Sequence, residues 1–252
     1  YKDILSKSIY VPFKIIESQE RDLINTSLVI WTTTPWTIPG NQAVAYGEKI
    51  TYVLVDVKFS ELDTTENKKL IVAKSLLENV IEFCNIKKFN VIKEFKGSIL
   101  KGSLAHHPLH KKGYDQNTPL LNGEFVDDSE GTGFVHVAPS YGEDDFYLAK
   151  LNNIKIKDIV HDNGVYKENT PLFAGVHVFK AEVNVIESLK DENNLIGVRE
   201  YSHSYPHSWR SKKPVIFRTT PQWFISMEKN KLREKALQGI DSTRWIPPSS
   251  KN

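Results

Sequence analysis

Four threonines, two tryptophans and two prolines fall within residues 31–41 of this chain. The hydroxyl groups belong to Thr32, Thr33, Thr34 and Thr37. A threonine hydroxyl both donates and accepts hydrogen bonds, so such a cluster could orient a neutral water for attack on an ester, on a loop that proline holds in shape before a ligand arrives. The alternative is a strand end whose hydroxyls only cap turns.

A second candidate is the acidic turn at residues 142–145, which follows a predicted strand and opens a predicted helix. A carboxylate at Asp145 could face a cleft and hold a substrate ammonium group. At about 4 Å and an effective dielectric near 20, such an ion pair contributes about 4 kcal/mol before desolvation. The alternative is that acidic residues here only stabilise the positive end of a helix dipole, which would suit Asp144 equally well.

Histidines and basic residues supply weaker candidates. His136 lies in an apolar strand pattern, where a hydrogen-bonded core histidine is the ordinary interpretation. Two further clusters have spacings that suggest metal ligands, namely His106, His107 and His110, and His203 and His207. Neither has a second half at zinc-binding spacing, so no metal site is predicted.

The densest basic cluster comprises Arg210, Lys212, Lys213 and Arg218. Its ordinary interpretation is a solvated face, and the functional alternative is a phosphate contact with Trp209 and Trp223 stacked on unpaired bases. The whole chain has 33 Lys and Arg against 31 Asp and Glu, a net charge of +2. This balance excludes an extended basic coat, so any RNA contact must be local.

The composition is that of a globular protein, with 252 residues, 40% hydrophobic and 25% charged, which excludes disordered, collagen-like and coiled-coil classes. The single cysteine, Cys84, excludes an intramolecular disulfide and favours a reducing cytoplasm. No apolar run reaches the roughly 18 residues that span a bilayer, and the first residues lack a signal-peptide pattern, so a soluble protein is predicted. Met227 is the only methionine, which predicts a piece of a longer protein.

Residue patterns predict a β-rich chain with inserted helices. Strands are predicted at residues 27–31, 51–57 and 134–139, helices at 73–83, 146–150 and 181–189, and a tight turn at 162–164. Residues 1–26 have the pattern of a strand followed by a polar connection.

Taken together, the motifs WTTTPWTIPGN (residues 31–41), GTGFVHVAP (131–139) and GEDD (142–145) closely resemble the isoleucyl-tRNA synthetase family, in which they mark the editing domain. The likeness continues through DNG, HSYPH and TPQWF and covers nearly the whole chain. Valyl and leucyl relatives usually carry an arginine after the paired threonines, where this chain has Thr34, Pro35 and Trp36. The isoleucyl family is therefore favoured.

The resemblance implies an α+β fold, a β-barrel-rich editing domain that is the connective-peptide insertion of a class I synthetase. It is expected at residues 27–200, with connecting segments at 1–26 and 201–252 that return toward a missing catalytic body. The chain has neither the His-x-Gly-His nor the Lys-Met-Ser-Lys-Ser signature of the ligase site. ATP and magnesium are therefore expected only in that missing body, and no cofactor is expected for editing.

The implied activity is hydrolysis of valine wrongly esterified to isoleucine tRNA, by a cytoplasmic monomer that binds the aminoacylated 3′ end of the tRNA and its valyl group and no membrane. One methylene is worth only about 1–3 kcal/mol in a binding pocket, a general figure to which isoleucyl enzymes themselves contributed and not a property measured on this chain. A second, smaller pocket would exclude isoleucine. The alternatives are an editing domain of a valyl or leucyl synthetase, a non-catalytic tRNA-binding module, and a degenerate spacer without turnover.

The resemblance also implies residue roles. Asp145 matches the carboxylate that holds the α-ammonium of the aminoacyl group, as an anchor and not as a base. Thr32, Thr33 and Thr34 match the hydroxyl cluster that contacts the ester and the terminal adenosine and positions water. His136 matches the side chain that limits pocket size on the amino-acid side.

Trp36 and Thr37 line the same loop. Four further residues are expected to shape the adenosine pocket, namely Asn41, Gly131, Thr132 and Gly133. Because no histidine and carboxylate stand at a convincing spacing for a general base, the proton of the attacking water is expected to pass to a ribose hydroxyl of the tRNA.

One departure from the family concerns residues 208–211, where this chain has Ser-Trp-Arg-Ser and many relatives carry cysteines. A zinc knuckle is therefore not expected there. The segment is predicted to be held by aromatic packing of Tyr205, Trp209, Trp223 and Phe224.

Overall fold

A strand of sixteen residues, β1 (Lys2–Glu17), organises the sheet in the computed structural model, which describes residues 1–60 and 68–251. Its middle is apolar and fully buried at Ile9, Val11 and Phe13. Its first residues alternate between polar and apolar side chains and are more exposed. One strand therefore contributes to the core at one end and to a surface ribbon at the other.

Nine more strands and four α-helices complete the described part of the chain. The strands are β2 (Ser27–Thr32), β3 (Ala43–Tyr46), β4 (Thr51–Lys58), β5 (Lys68–Ala73), β6 (Lys88–Lys96), β7 (Leu104–His106), β8 (Asn117–Asn122), β9 (Phe134–Val137) and β10 (Gly197–Tyr205). The helices are α1 (Leu77–Phe83), α2 (Glu143–Leu151), α3 (Val178–Asp191) and α4 (Leu232–Ser242). Among the residues described, no helix is long and apolar enough to cross a bilayer.

All ten strands belong to one mixed sheet with the order β6-β4-β5-β2-β1-β7-β8-β3-β9, and β10 pairs with β1. The pairs β2–β5 and β3–β8 are parallel, whereas β1 runs antiparallel to β2, β7 and β10. The sheet curls until β9 approaches β4 and β5. The Tyr52 hydroxyl donates to the Gly133 carbonyl at 2.6 Å, and the Ala73 amide donates to the Thr132 carbonyl at 2.8 Å.

Two apolar clusters lie on the two faces of the curled sheet. The larger lies inside the curl and includes Ile30 and Phe134, and α3 covers it with Ala181 and Val185. The smaller is covered by α1 and includes Val80 and the buried free cysteine, Cys84. Burial of these faces fixes the strand ends from which the candidate site is built.

Most predicted elements are confirmed. The strands at 27–31 and 51–57 are β2 and β4, and the strand at 134–139 is the shorter β9. The helices at 73–83, 146–150 and 181–189 lie within or overlap α1, α2 and α3, and the turn at 162–164 closes with a Gly164 to His161 hydrogen bond at 2.9 Å. The predicted α+β class is therefore the observed one.

The domain boundaries differ from those expected. The chain divides into a unit at Tyr1–Thr219 and a second at Thr220–Asn252, instead of changing at residues 26 and 200. Residues 1–26 are not a connecting segment, because β1 pairs with three strands of the sheet, and β10 extends past residue 200 to Tyr205. The polar first half of β1 hid this strand, since its partner, β10, lies almost two hundred residues away.

The predicted aromatic packing around residues 205–224 is wrong. Trp209, Trp223 and Phe224 are 74%, 101% and 89% exposed. Backbone contacts hold residues 205–215 instead: the Ser208 amide donates to the Lys213 carbonyl at 2.9 Å, and the Tyr205 hydroxyl donates to the Val215 carbonyl at 3.0 Å. In the second unit, α4 has no buried residue.

Candidate active site

The threonine loop lies where β2 ends and a 3-10 helix, Pro35–Gly40, begins. The Thr34 amide donates to the Thr32 hydroxyl at 3.1 Å, and the Thr37 hydroxyl donates to the Thr34 carbonyl at 2.8 Å. Two of the four hydroxyls therefore do cap the turn. The side chains of Thr33 and Thr34 make no hydrogen bond within the part of the chain that the structure describes, which leaves their hydroxyls open to a ligand.

A pocket of about 250 Å³ opens beside this loop, and we call it the Asp145 pocket. It brings together six of the residues that the sequence singled out, namely Thr32, Thr34, Trp36, Thr37, His136 and Asp145. Five further residues line it, namely Val135, Ala138, Tyr141, Tyr205 and Phe217. All of them lie in the first unit of the chain.

Asp145 stands in the first turn of α2. Its Oδ2 accepts a hydrogen bond from the Ala138 amide at 2.8 Å, which aims the carboxylate away from its own helix. No described residue forms a salt bridge with it. Burial raises the pKa of this carboxyl to about 6, against the lowering effect of the Ala138 hydrogen bond. A half-buried carboxylate without a cation is a site for a ligand cation.

Gly142 permits this position of the carboxylate. A Cβ added at Gly142 would lie 2.9 Å from Asp145 Oδ2. We expect Gly142→Ala to displace the carboxylate and to reduce binding of a cationic ligand to this pocket about tenfold or more. Thermal unfolding should change little, because the backbone of Gly142 is extended.

The matched control is Gly239→Ala, since an added Cβ there meets nothing within 4 Å. Titration with valinamide, a small ammonium ligand, would compare the two variants. Equal affinities would contradict the steric role of Gly142.

His136 is buried beneath the pocket and belongs to a chain of hydrogen bonds. Asn41 Nδ2 donates to His136 Nδ1 at 2.8 Å, and His136 Nε2 lies 3.1 Å from the Thr37 hydroxyl. Since that hydroxyl donates its own proton to the Thr34 carbonyl, His136 must carry a hydrogen on Nε2 and accept at Nδ1. Burial lowers the pKa of His136 to about 4. The ring is therefore neutral, has no free lone pair, and serves as a fixed wall.

A second buried imidazole, His107, donates from Nε2 to the Ile38 carbonyl at 3.0 Å and accepts from the Leu109 amide at 3.1 Å. Burial lowers its pKa to about 3. An unfolded chain protonates histidine below about pH 6.5, whereas both folded rings stay neutral until about pH 4. The unfolded state therefore gains protons first, and the free energy of unfolding falls as pH is lowered from 6.5 toward 4.

We expect each ring to remove about 2–3 kcal/mol of the free energy of unfolding by pH 4.5. Asp145 acts in the opposite direction below pH 6, because its folded pKa is raised, but it is one group against two. Urea unfolding at pH 7, 5.5 and 4.5 measures the dependence. His107→Leu should be less stable at pH 7 and lose less stability on acidification, and an unchanged slope would contradict this account.

Five predicted residues lie outside the Asp145 pocket. Asn41 and Thr132 are 1% exposed, and Asn41 contacts the site only through His136. Thr33, Gly131 and Gly133 line an adjacent cleft, which we call the Gly131 cleft. Its other lining residues are Trp31, Thr32, Phe125, Asp127, Glu130, Phe134 and Val135.

Sequence reasoning missed the aromatic wall of the pocket. The Tyr141 ring packs edge-on against Trp36 with centroids 5.3 Å apart. Gly40 allows this approach, since an added Cβ there would lie 2.7 Å from the Tyr141 ring. The glycine after Pro39 was therefore the available signal in the sequence. Tyr205 belongs to the HSYPH motif, but no residue pattern predicted Phe217.

Arg218 joins the segment that carries Phe217 to the body of the unit. It bonds Asp158 at 3.0 Å and also pairs with Asp162, and its side chain is only 15% exposed. Arg218 is therefore not a free cation of the basic cluster. Arg210 lies over the Trp209 ring at 4.8 Å.

The described residues contain no group of three or more His, Cys, Asp or Glu side chains placed to hold a metal ion. The rings of His106 and His110 stack on each other with centroids 4.0 Å apart.

The sequence is 47% identical over 247 residues to the isoleucine–tRNA ligase of Pelagibacter ubique (strain HTCC1062), a match that covers 98% of this chain and 27% of that protein. It is 43% identical over 258 residues to the isoleucine–tRNA ligase of Francisella philomiragia, which covers 98% of this chain and 26% of that protein. The chain belongs to the isoleucine–tRNA ligase family. It spans about a quarter of the length of these family members. No family model matches it.

Solved structures related to this member of the isoleucine–tRNA ligase family show the fold. GlLeuRS-CP1 superposes with a TM-score of 0.59 at 16% identity, over 77% of this chain and 99% of that one. The editing domain of the P. falciparum cytosolic leucyl-tRNA synthetase superposes with a TM-score of 0.53 at 11% identity, over 79% and 99%. The predicted family and the predicted editing-domain fold are thereby confirmed.

Proposed function

We propose that this chain hydrolyses the ester that joins valine to isoleucine tRNA, as the editing part of an isoleucine–tRNA ligase. One observation carries the proposal: the Asp145 carboxylate stands without a cationic partner among the described residues, in a pocket whose rim is the threonine loop. An aminoacyl ester presents an ammonium group one carbon away from the carbonyl that must be attacked. The pocket supplies a carboxylate for the first and hydroxyls for the second.

In the proposed reaction, Asp145 holds the ammonium group and fixes the position of the ester. The hydroxyls of Thr33 and Thr34 then orient the attacking water or the ester oxygens, which converts binding into a favourable geometry for attack. His136 cannot take the proton of the water, because Nε2 already carries hydrogen and Nδ1 already accepts from Asn41. We assign that proton to a ribose hydroxyl of the tRNA.

Selection of valine follows from the rigidity of the wall. His136 is held at both nitrogens, and Trp36 is wedged against Tyr141. Such walls cannot move aside for the extra methylene of isoleucine without breaking hydrogen bonds. The pocket therefore acts as a size filter rather than through acid–base chemistry.

The Gly131 cleft suits the terminal adenosine. Gly131 lets the chain approach the Trp31 ring, because an added Cβ would lie 3.2 Å from it. Trp31 Nε1 is buried and has no hydrogen-bond partner among the described residues, so a base or ribose oxygen could accept from it. Thr32 lines both the cleft and the Asp145 pocket and would stand between nucleoside and amino acid. In this proposal Asn41 positions His136 and does not touch adenosine.

The proposal assigns no cofactor to the editing step. ATP and magnesium would serve the ligase reaction in the part of the enzyme outside this chain. The partner is the aminoacylated 3′ end of isoleucine tRNA, and the chain would act as a monomer in the cytoplasm.

The deciding experiment measures release of valine and of isoleucine, each esterified to isoleucine tRNA, by this chain. Selective release of valine supports editing. Equal release of both would contradict the size filter. Firm tRNA binding without release of either would instead favour a non-catalytic tRNA-binding module.

A further inference from the structure

Five rings form a continuous row along one face of β10 and the end of β2. Their order is Trp31, Tyr201, His203, Tyr205 and His207, and successive ring centroids are 5.3, 6.1, 5.8 and 6.3 Å apart. The spacing arises because alternate residues of a strand share a face. All five side chains are partly exposed. We call this row the aromatic ladder.

The polar edge of each ring on β10 is already bonded. The Tyr201 hydroxyl donates to Glu130 at 2.8 Å, and His203 Nε2 lies 2.9 Å from the Ser6 hydroxyl. The Tyr205 hydroxyl donates to a backbone carbonyl at 3.0 Å. The rings are therefore held in place before any ligand arrives, which lowers the entropy cost of binding to their open faces.

The ladder connects the two parts of the proposed site. Trp31 lines the Gly131 cleft, and Tyr205 lines the Asp145 pocket. Between them, His203 and Tyr205 line a groove of about 300 Å³ that also includes Thr33 and Thr34. A strand of RNA whose end lies in the proposed site could follow this groove.

The groove is poor in unbalanced positive charge. Lys7 is its only lysine or arginine, and Glu182 and Glu200 line it as well. Phosphate attraction therefore cannot hold a strand there, whereas flat rings stack on any unpaired base. The chemistry of the ladder fits bases better than a phosphate backbone.

We propose that the aromatic ladder stacks the unpaired nucleotides that precede the terminal adenosine of the tRNA, with His203 at its centre. The assignment rests on the proposed function for its ligand. It adds the path by which the strand reaches the site. Since stacking tolerates every base, the ladder would read the single-stranded state of the tRNA end and not its sequence.

The test uses the 252-residue chain and a short single-stranded RNA that carries 2-aminopurine next to its terminal adenosine. Stacking on the ladder should quench the fluorescence of this base. We expect His203→Leu to weaken binding about fivefold or more and to reduce the quenching at saturation. His203→Phe should restore both, because it keeps a ring and loses only the Ser6 hydrogen bond. The salt dependence of binding should be the same in all three proteins.

Tyr201→Leu and Tyr201→Phe form a second pair, in case His203→Leu does not fold. Phe89→Leu is the matched control, since Phe89 is an exposed ring on β6, outside the ladder. Equal binding and quenching in the Leu and Phe variants, or no quenching by the parent chain, would overturn the proposal. Release of valine from tRNA is measured separately. Loss of that activity with ladder-dependent quenching intact would reject the proposed function alone.

Discussion

Asp145→Asn is expected to lower kcat/KM for release of valine by about 100-fold or more, which is the largest effect that we expect from one substitution. The reason is the loss of a charge that faces the ligand ammonium group without competition from any described cation. An ion pair of this kind contributes about 4 kcal/mol before desolvation, so a 100-fold loss allows for part of that desolvation. Single-turnover deacylation of valyl-tRNA measures it.

The same substitution should make the folded chain more stable at pH 7.5. The pKa of Asp145 is raised to about 6, so the folded state takes up a proton more readily than the unfolded state, and ionisation above pH 6 costs folding free energy. An asparagine oxygen can still accept from the Ala138 amide. We expect a gain of about 1–2 kcal/mol, reduced by partial exposure to solvent, as is common when an active-site charge is removed.

Asp144→Asn is the control, because Asp144 is the exposed neighbour in the same helix turn. It should change neither activity nor stability by more than a small factor. If both variants lose activity equally, the effect belongs to the helix N-terminus and not to an anchor.

A raised pKa near 6 would also suit a general base, and the two roles are separable. An anchor acts only on a charged amine, so N-acetylvalyl-tRNA should be hydrolysed slowly and equally by the parent chain and by Asp145→Asn. A base would still be required for that substrate. For the charged substrate, kcat/KM should rise with pH through about 6, as the carboxyl ionises.

His136→Ala is expected to lower the preference for valine over isoleucine by about 10- to 100-fold, mainly because release of isoleucine begins. The ring is a wall that is 9% exposed and held at both nitrogens, and its removal opens space for a methylene. Release of valine should fall less than tenfold, since Thr37 loses one hydrogen bond and keeps its bond to the Thr34 carbonyl. Parallel deacylation of both esters measures the preference.

His136→Gln is the matched control because it keeps a donor toward Thr37 and most of the volume. It should retain the preference for valine. An alanine variant that still rejects isoleucine would show that another wall, such as Trp36 or Tyr141, sets the size limit.

Local patterns predicted the parts of the fold in which neighbours in sequence share one environment. β2, β4 and α3 follow from their apolar spacing. The first half of β1 did not, because its polar residues are stabilised by pairing with β10, and that pairing is visible only in three dimensions. The same limit applies to domain boundaries, which depend on long-range contacts.

For the site, the motifs and the family resemblance brought Asp145 and the threonine loop to attention. The structure adds what spacing could not supply: the tautomer of His136, set by Asn41 and Thr37, and the raised pKa of Asp145. Phe217 was missed because an irregular segment carries it, held by the pairing of Arg218 with two carboxylates.

The pairing of β1 with β10 has a practical consequence for anyone who trims this protein. A shortened fragment of residues 27–200 would lose β1, and with it the partner of both β2 and β7. Those strands would present unpaired backbone edges, which promote aggregation during expression. It would also lose Tyr205 and Phe217. A useful fragment should therefore begin before Lys2 and continue through Thr219.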